Sequence, residues 1–184
     1  MGYELDALLI RWIEIPRWTA GRPGLAVYRL AADLALIPLS DDQRERLGPW
    51  ETWAVDASKG SRVARLTAEF FGGAGGHDCT LWVDGREAAR GLGINEVLDG
   101  FGVVPVPPAD GFDTVGLGRL RKTSTWVAQA VADAAADLHA LLRDPRPGVR
   151  DLAVSRLGDL RVAAALEDPD YGVRLSAFMA LARR

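Results

Sequence analysis

The sequence predicts an α+β protein. A first domain over residues 1–120 holds a small mixed or antiparallel sheet with helices, and a C-terminal α-helical unit over residues 121–184 packs on it. Three observations predict this. Two β-prone runs, Val63–Phe71 and Cys79–Val83, flank the glycine-rich link Gly72–Gly76. From Thr125 the apolar residues switch to helical spacing. Finally, Leu142, Asp144, Pro145, Gly148, Val149, Arg150, Ala153 and Leu157 recur 24 residues later as Leu166, Asp168, Pro169, Gly172, Val173, Arg174, Ala177 and Leu181. A fixed period of this size signals stacked helical units.

Taken in order, Leu5, Leu8, Leu9, Trp12 and Ile13 match helical spacing, so a helix opens the chain and Pro16 ends it. Gly21-Arg22-Pro23-Gly24 is a turn. A helix from about Ala26 leads to a short extended segment, Ala35–Leu39. Ser40 caps a helix with Gln43 at its third position, and Gly48-Pro49 breaks it. That break leaves Trp50 and Trp53 in a loop-like setting. The pair of β runs follows, joined as a hairpin, with Asp84-Gly85 as the next turn. Ile94–Phe101 forms a short helix stopped by Gly102. Val103–Val106 suits a strand, and Pro107–Gly118 is loop-rich. Trp126, Val127, Ala130, Val131, Ala134, Leu138, Leu141 and Leu142 then make a long amphipathic helix capped by Ser124 and ended by Asp144-Pro145.

Each repeat copy reads Leu-x-Asp-Pro-x-x-Gly-Val-Arg-x-x-Ala-x-x-x-Leu. Asp before Pro caps the coming helix, and Pro suits a first helical turn. Val149, Leu152, Ala153 and Leu157 form one apolar face, repeated by Val173, Ala177, Phe178 and Leu181. Arg150 and Arg174 are placed to reach the aspartates or the carbonyls that end the preceding helix, holding repeat to repeat. Over residues 138–184 this pattern resembles short HEAT-like repeats, and its period and Asp-Pro-x-x-x-Val-Arg core are similar to leucine-rich-repeat variants. The resemblance implies an architecture that presents surfaces to partners. Two copies fall short of the three usually needed for a free solenoid, so the pair is expected to dock on the Trp126–Leu142 helix and on the first domain.

Composition narrows the function. The chain is 48% hydrophobic and 26% charged, with net charge −3, which does not indicate a broad nucleic-acid surface. Residues 1–120 carry 12 basic and 17 acidic residues, a balance of −5 that favours a basic partner; residues 121–184 carry 10 and 8, a balance of +2. Cys79 is the single cysteine, so no internal disulfide forms and a reduced, cytoplasmic location is expected. The acidic start, Met1 to Asp6, does not resemble a signal peptide, and Asp6 stands where a myristoylation motif needs Ser or Thr. Apolar stretches such as Leu34–Leu39 are too short to span a bilayer, so no membrane partner is expected.

Chemistry-bearing motifs are sparse. Counting from Gly73, the third glycine of a dinucleotide fingerprint is replaced by Asp78, and no Gly-Lys-Ser/Thr follows. A link between strands is the better reading, and no cofactor is expected. His77 and Cys79 share one strand face without Asp78, and two ligands do not make a metal site. Cys79 reads as core. Glu69 faces Asp78 across the hairpin in a third reading, a small enzyme using Glu69, Asp78 or His77 for acid–base work; a rim charge pair is the simpler account. No Gly-x-Ser-x-Gly elbow is present, and no catalytic set is assigned. Trp50 and Trp53, with Glu51 between them, are the tryptophans best placed for exposure, and tryptophan is enriched at interface hot spots.

Over residues 3–126, the stretches Leu36–Leu39, Ala68–Gly73, Leu81–Gly85, Ile94–Leu98 and Val115–Arg119 are together similar to small actinobacterial proteins without an assigned activity. In style they are similar to the immunity proteins of polymorphic toxin systems. The resemblance implies a non-enzymatic binding protein that neutralises a toxin domain by covering it; the alternative is an adaptor subunit of a larger complex. The candidate partner-binding residues are Trp50, Glu51, Trp53, Glu69 and Asp78, with Arg146 and Tyr171 on the repeat surface.

Overall fold

The computed structural model describes residues 2–22, 24–72, 74–157 and 160–182. Pro23 of the expected first turn, Gly73 of the glycine link, and Arg183 and Arg184 at the chain end lie outside these residues. The chain divides into two compact units, Met1–Trp126 and Val127–Arg184. The division falls within a helix, Thr123–Ala134.

Unit 1 is built on an antiparallel six-stranded sheet: β1 (Tyr3–Arg11), β2 (Tyr28–Arg29), β3 (Leu34–Pro38), β4 (Arg62–Phe71), β5 (Ala74–Val83) and β6 (Arg86–Leu92), in the order β2-β3-β1-β4-β5-β6. The opening segment is therefore a strand, not the expected helix. β1 is central, with β3 and β4 on its flanks. Leu5, Ala7 and Leu9 enter one core, while Leu8 and Ile10 enter a second on the opposite face. A strand buried on both faces reads as a continuous apolar run, and that run mimics helical spacing.

Helices cover both sheet faces. α1 (Ile15–Thr19), α2 (Asp41–Leu47) and α3 (Trp50–Ala57) give Ile15, Leu47, Trp53, Ala54 and Ala57 to the core of Leu8, Ile10, Ile37, Val63 and Trp82. α4 (Ile94–Gly100) and α5 (Gly111–Val115) give Val97, Leu98 and Val115 to the core of Leu9, Leu36, Leu66 and Cys79. Trp126 is fully buried in the core of Leu5, Ala7 and Leu9, its ring edge-on to Tyr28 at 4.8 Å between centroids. Such a pair adds about 1 kcal/mol beyond the area it buries.

Several local expectations are corrected. No helix follows Ala26; the segment holds β2 and a turn at Ala32-Asp33, both at positive φ. Gln43 does not turn back to cap Ser40. It is fully buried, its Oε1 accepting from Ala26 N at 2.5 Å and its Nε2 donating to Gly24 O at 3.4 Å. Tertiary packing thus outbids a local cap. Trp50 and Trp53 lie on α3, not in a loop. Asp84-Gly85 makes the expected turn, with φ of 51° and 78°, and joins β5 to β6, a strand that periodicity did not mark. Val103–Val106 has no partner strand: Val103 is buried while Val104 and Val106 face solvent.

Unit 2 is helical. The long helix expected to reach Leu142 is shorter: α6 (Thr123–Ala134) stops at Ala134, and a 3-10 turn covers Ala140–Arg143. α7 (Pro147–Leu157), a 3-10 stretch (Leu160–Glu167) and α8 (Tyr171–Ala182) follow. Val154, Val162, Val173 and Ala177 form their core. Arg156 Nη2 donates to Asp133 of α6 at 2.8 Å. The capping is displaced from expectation. α7 starts at Pro147, two residues after Pro145, and Asp144 Oδ1 accepts from Arg146 N at 2.9 Å, ahead of the helix. In the second copy Asp170, not Asp168, accepts from a first-turn amide, Val173 N at 3.2 Å.

Candidate binding surfaces

Four of the seven candidate residues belong to one side of unit 1. Strand register puts Glu4, Asp6, Leu8 and Ile10 of β1 on the same face as Glu69, Thr67, Arg65 and Val63 of β4, and as Gly76, Asp78, Thr80 and Trp82 of β5. Helices cover the Leu8–Val63–Trp82 end. At the margin, Trp50 at the start of α3 stands edge-on to Trp82 at 6.3 Å, and the Arg65 guanidinium lies 4.4 Å from its ring centre. Arg65 grips Asp6 through both oxygens, at 3.0 and 2.9 Å, and Arg44 pairs with the same carboxylate. Hydrogen bonding to Asp6 raises the Arg65 pKa against the lowering by burial, and the charges of Asp6, Glu51 and Asp78 add to the rise.

Past this margin the face is open. Glu4 stands directly opposite Glu69, and both are exposed, as is Asp78. Phe71, on the same face at the hairpin end, is 78% exposed. Glu69 pairs with Gly76 and Asp78 with Thr67, so the two acids are diagonal neighbours and not a facing pair. Diagonal positions lie about 7–8 Å apart, too far to share a proton. Trp53 is the exception among the α3 candidates. It is 4% exposed, with its ring against Trp18 at 6.0 Å, because one turn beyond Trp50 the helix aims it into the core.

On the opposite face, Tyr3, Phe70, His77, Ile94 and Phe112 line an apolar cleft of about 630 Å³. Its carboxylates are engaged. Glu96 Oε2 accepts from Gly93 N at 2.5 Å, and Asp110 accepts from Asp113 N and Asn95 Nδ2, each at 2.9 Å, which holds Asp110 below its ordinary pKa. His77 and Cys79 share this face without Asp78, as strand alternation requires. Cys79 is fully buried, and burial pushes its thiol up to about 11. Among the described residues, no three His, Cys, Asp or Glu side chains gather as metal ligands.

In unit 2, Arg146 chelates Asp144 through Nε and Nη2, both at 2.8 Å. Burial pushes the Asp144 carboxyl up, but the bonds and charge of Arg146 together with the charge of Arg150 leave the pKa below its ordinary value. Arg150 bridges the two copies: Nε and Nη2 meet Asp168 at 2.7 and 2.8 Å, while Nη1 donates to Asp144 O and Pro145 O. Arg174 repeats the second half of this arrangement, donating from Nη1 to Asp168 O at 2.7 Å and Pro169 O at 2.9 Å. Tyr171 is 69% exposed, with Arg174 5.7 Å from its ring centre. Phe178, expected on the buried face with Val173 and Ala177, instead points outward with Tyr171, Leu175 and Met179.

The sequence reading missed the Asp6–Arg44–Arg65 cluster and the exposure of Glu4 and Phe71, because these depend on strand register. Among the described residues no helix is long and apolar enough to cross a membrane. Compared with protein-family models, curated proteins and solved structures, the chain matches none of them at significant similarity.

Proposed function

We propose that this chain is a non-enzymatic protein-binding module that works as an immunity protein, covering a basic surface of a cognate bacterial toxin domain. The observation that carries the reading is the uncovered end of the sheet face. Glu4, Glu69 and Asp78 project there beside the exposed ring of Phe71, with Trp50 and Glu51 at its margin. Like charges directly opposite on neighbouring strands are destabilising in isolation. Lys122, β-bridged to Glu4 and lining one groove with Glu4 and Glu69, offsets part of that repulsion, and a basic partner speeds encounter through charge complementarity with the remaining acids. Exposed Phe71 and half-buried Trp50 supply the apolar contact that charges alone lack.

The test is co-expression with a candidate toxin domain taken from a neighbouring gene. Wild-type chain restores growth and is captured with the toxin, and both effects weaken as salt is raised. Reversing the charges, Glu69→Lys with Asp78→Lys, abolishes rescue without lowering thermal stability, since both side chains are exposed. Absence of rescue by the folded wild-type chain would sink the toxin reading.

A further inference from the structure

We propose that the solvent face of α8 docks an amphipathic helix of a partner protein that carries a carboxylate just ahead of its first turn. The inference is independent of the acidic sheet face and comes from comparing the two 24-residue copies position by position.

In the first copy, Val154 is fully buried because the 3-10 stretch and α8 of the second copy lie over it, in the core of Val162, Val173 and Ala177. Arg150 of that copy completes its fork on Asp168, which precedes α8. In the second copy, the residue matching Val154 is Phe178, 60% exposed, and the residue matching Leu142 is Leu166, also exposed. Arg174 matches Arg150 and keeps the same two carbonyl contacts, but among the described residues no carboxylate takes its Nε and Nη2. The second copy therefore presents, unsatisfied, both the apolar and the ionic half of the contact that the first copy makes within the chain. What fits there is an element built like the second copy itself: a carboxylate, then a helix with small apolar residues on one face. In a second copy of the chain Asp168 is already held by Arg150, and Val173 and Ala177 are already packed on Val154, so neither is free to dock and a partner helix is the occupant.

The probe is a labelled peptide with the sequence of residues 163–182, which carries Asp168 ahead of its helix, titrated against the full chain by fluorescence anisotropy. Saturable binding is expected. Phe178→Asp in the full chain, at an exposed position that leaves helicity unchanged, weakens binding by about tenfold or more. Arg174→Gln weakens it about fivefold. An Asp168→Asn peptide loses the same factor against wild-type chain and nothing further against Arg174→Gln, the signature of a direct pair. No saturable binding would overturn the proposal. So would binding indifferent to Phe178→Asp, which means the peptide replaces α8 instead of docking on it. Self-association of the chain that excludes the peptide and is lost in Phe178→Asp would overturn it in favour of a second copy. None of these outcomes alters rescue through Glu69 and Asp78, so the two readings fail separately.

Discussion

Arg150 reaches across 18 residues to fork onto Asp168, tying the first 24-residue copy to the second while also bonding the carbonyls of Asp144 and Pro145. The pair is nearly sealed from water, with side chains 11% and 8% exposed. Removing one partner of such a pair strands the other without compensation, and the loss is about 3 kcal/mol. Arg150→Gln is therefore expected to lower the stability of unit 2 by that amount. Arg174→Gln, which loses only carbonyl contacts and a ring contact, costs about 1 kcal/mol. Hydrogen exchange of the α7 and α8 amides in the two variants measures the difference, and equal losses would contradict the bridging role.

The same pair sets an acid response. Hydrogen bonding from Arg150 holds the folded Asp168 carboxyl below the ordinary aspartate value of 3.8, and Asp144 is also lowered. A carboxyl depressed in the folded state contributes stability that is present above its unfolded value and is lost as pH falls through the folded one. Unit 2 is expected to hold its full stability above about pH 4 and to lose it progressively below. In Arg150→Gln the slope in that window flattens. Denaturant midpoints collected between about pH 2 and pH 6 check the sign.

Trp50 and Trp53, one helical turn apart on α3, separate core from surface. Trp53→Ala empties a buried site and is expected to cost about 3 kcal/mol or more. Trp50 is half-buried and stacks on Arg65, so Trp50→Ala costs about 1 kcal/mol. Under the proposed function Trp50→Ala weakens partner binding while the fold persists. Thermal melts paired with partner capture distinguish the two effects, and comparable melting losses would contradict the assignment of Trp53 to the core alone.

The β4–β5 hairpin supplies a backbone test. Gly75 has φ of +145°, and a Cβ built there would lie 2.0 Å from Glu69 O and 2.6 Å from Phe70 Cα. Both obstacles are backbone, so Gly75→Ala is expected to cost about 2 kcal/mol and to displace the hairpin end carrying Phe71. At Gly76 a Cβ would meet nothing within 4 Å, and Gly76→Ala is expected to be neutral within about 0.5 kcal/mol. Denaturant unfolding of the two variants, each adding one methyl at adjacent residues, is the comparison.

What the sequence determined by itself was local or periodic. The 24-residue echo put Arg150 and Arg174 within reach of the aspartates or of the preceding carbonyls, and both bond those carbonyls because the same residues at the same spacing fold the same way twice. The hairpin, the Asp84-Gly85 turn, the helix after Ser40 and the core character of Cys79 were legible because turn chemistry and strand alternation act over a few residues, although Ala74–Gly76 of the expected glycine link belong to β5. Only the tertiary structure decided the rest. β1 is a strand because neighbours on both sides pair with it and both its faces are buried, which no periodicity within it reveals. Trp53 is core because α3 lies on the sheet. Glu4, Glu69 and Asp78 share a surface because register aligns strands far apart in the chain. Val154 is buried and Phe178 exposed at matching positions because burial depends on what lies above a residue, and among the described residues a helix lies over the first copy alone.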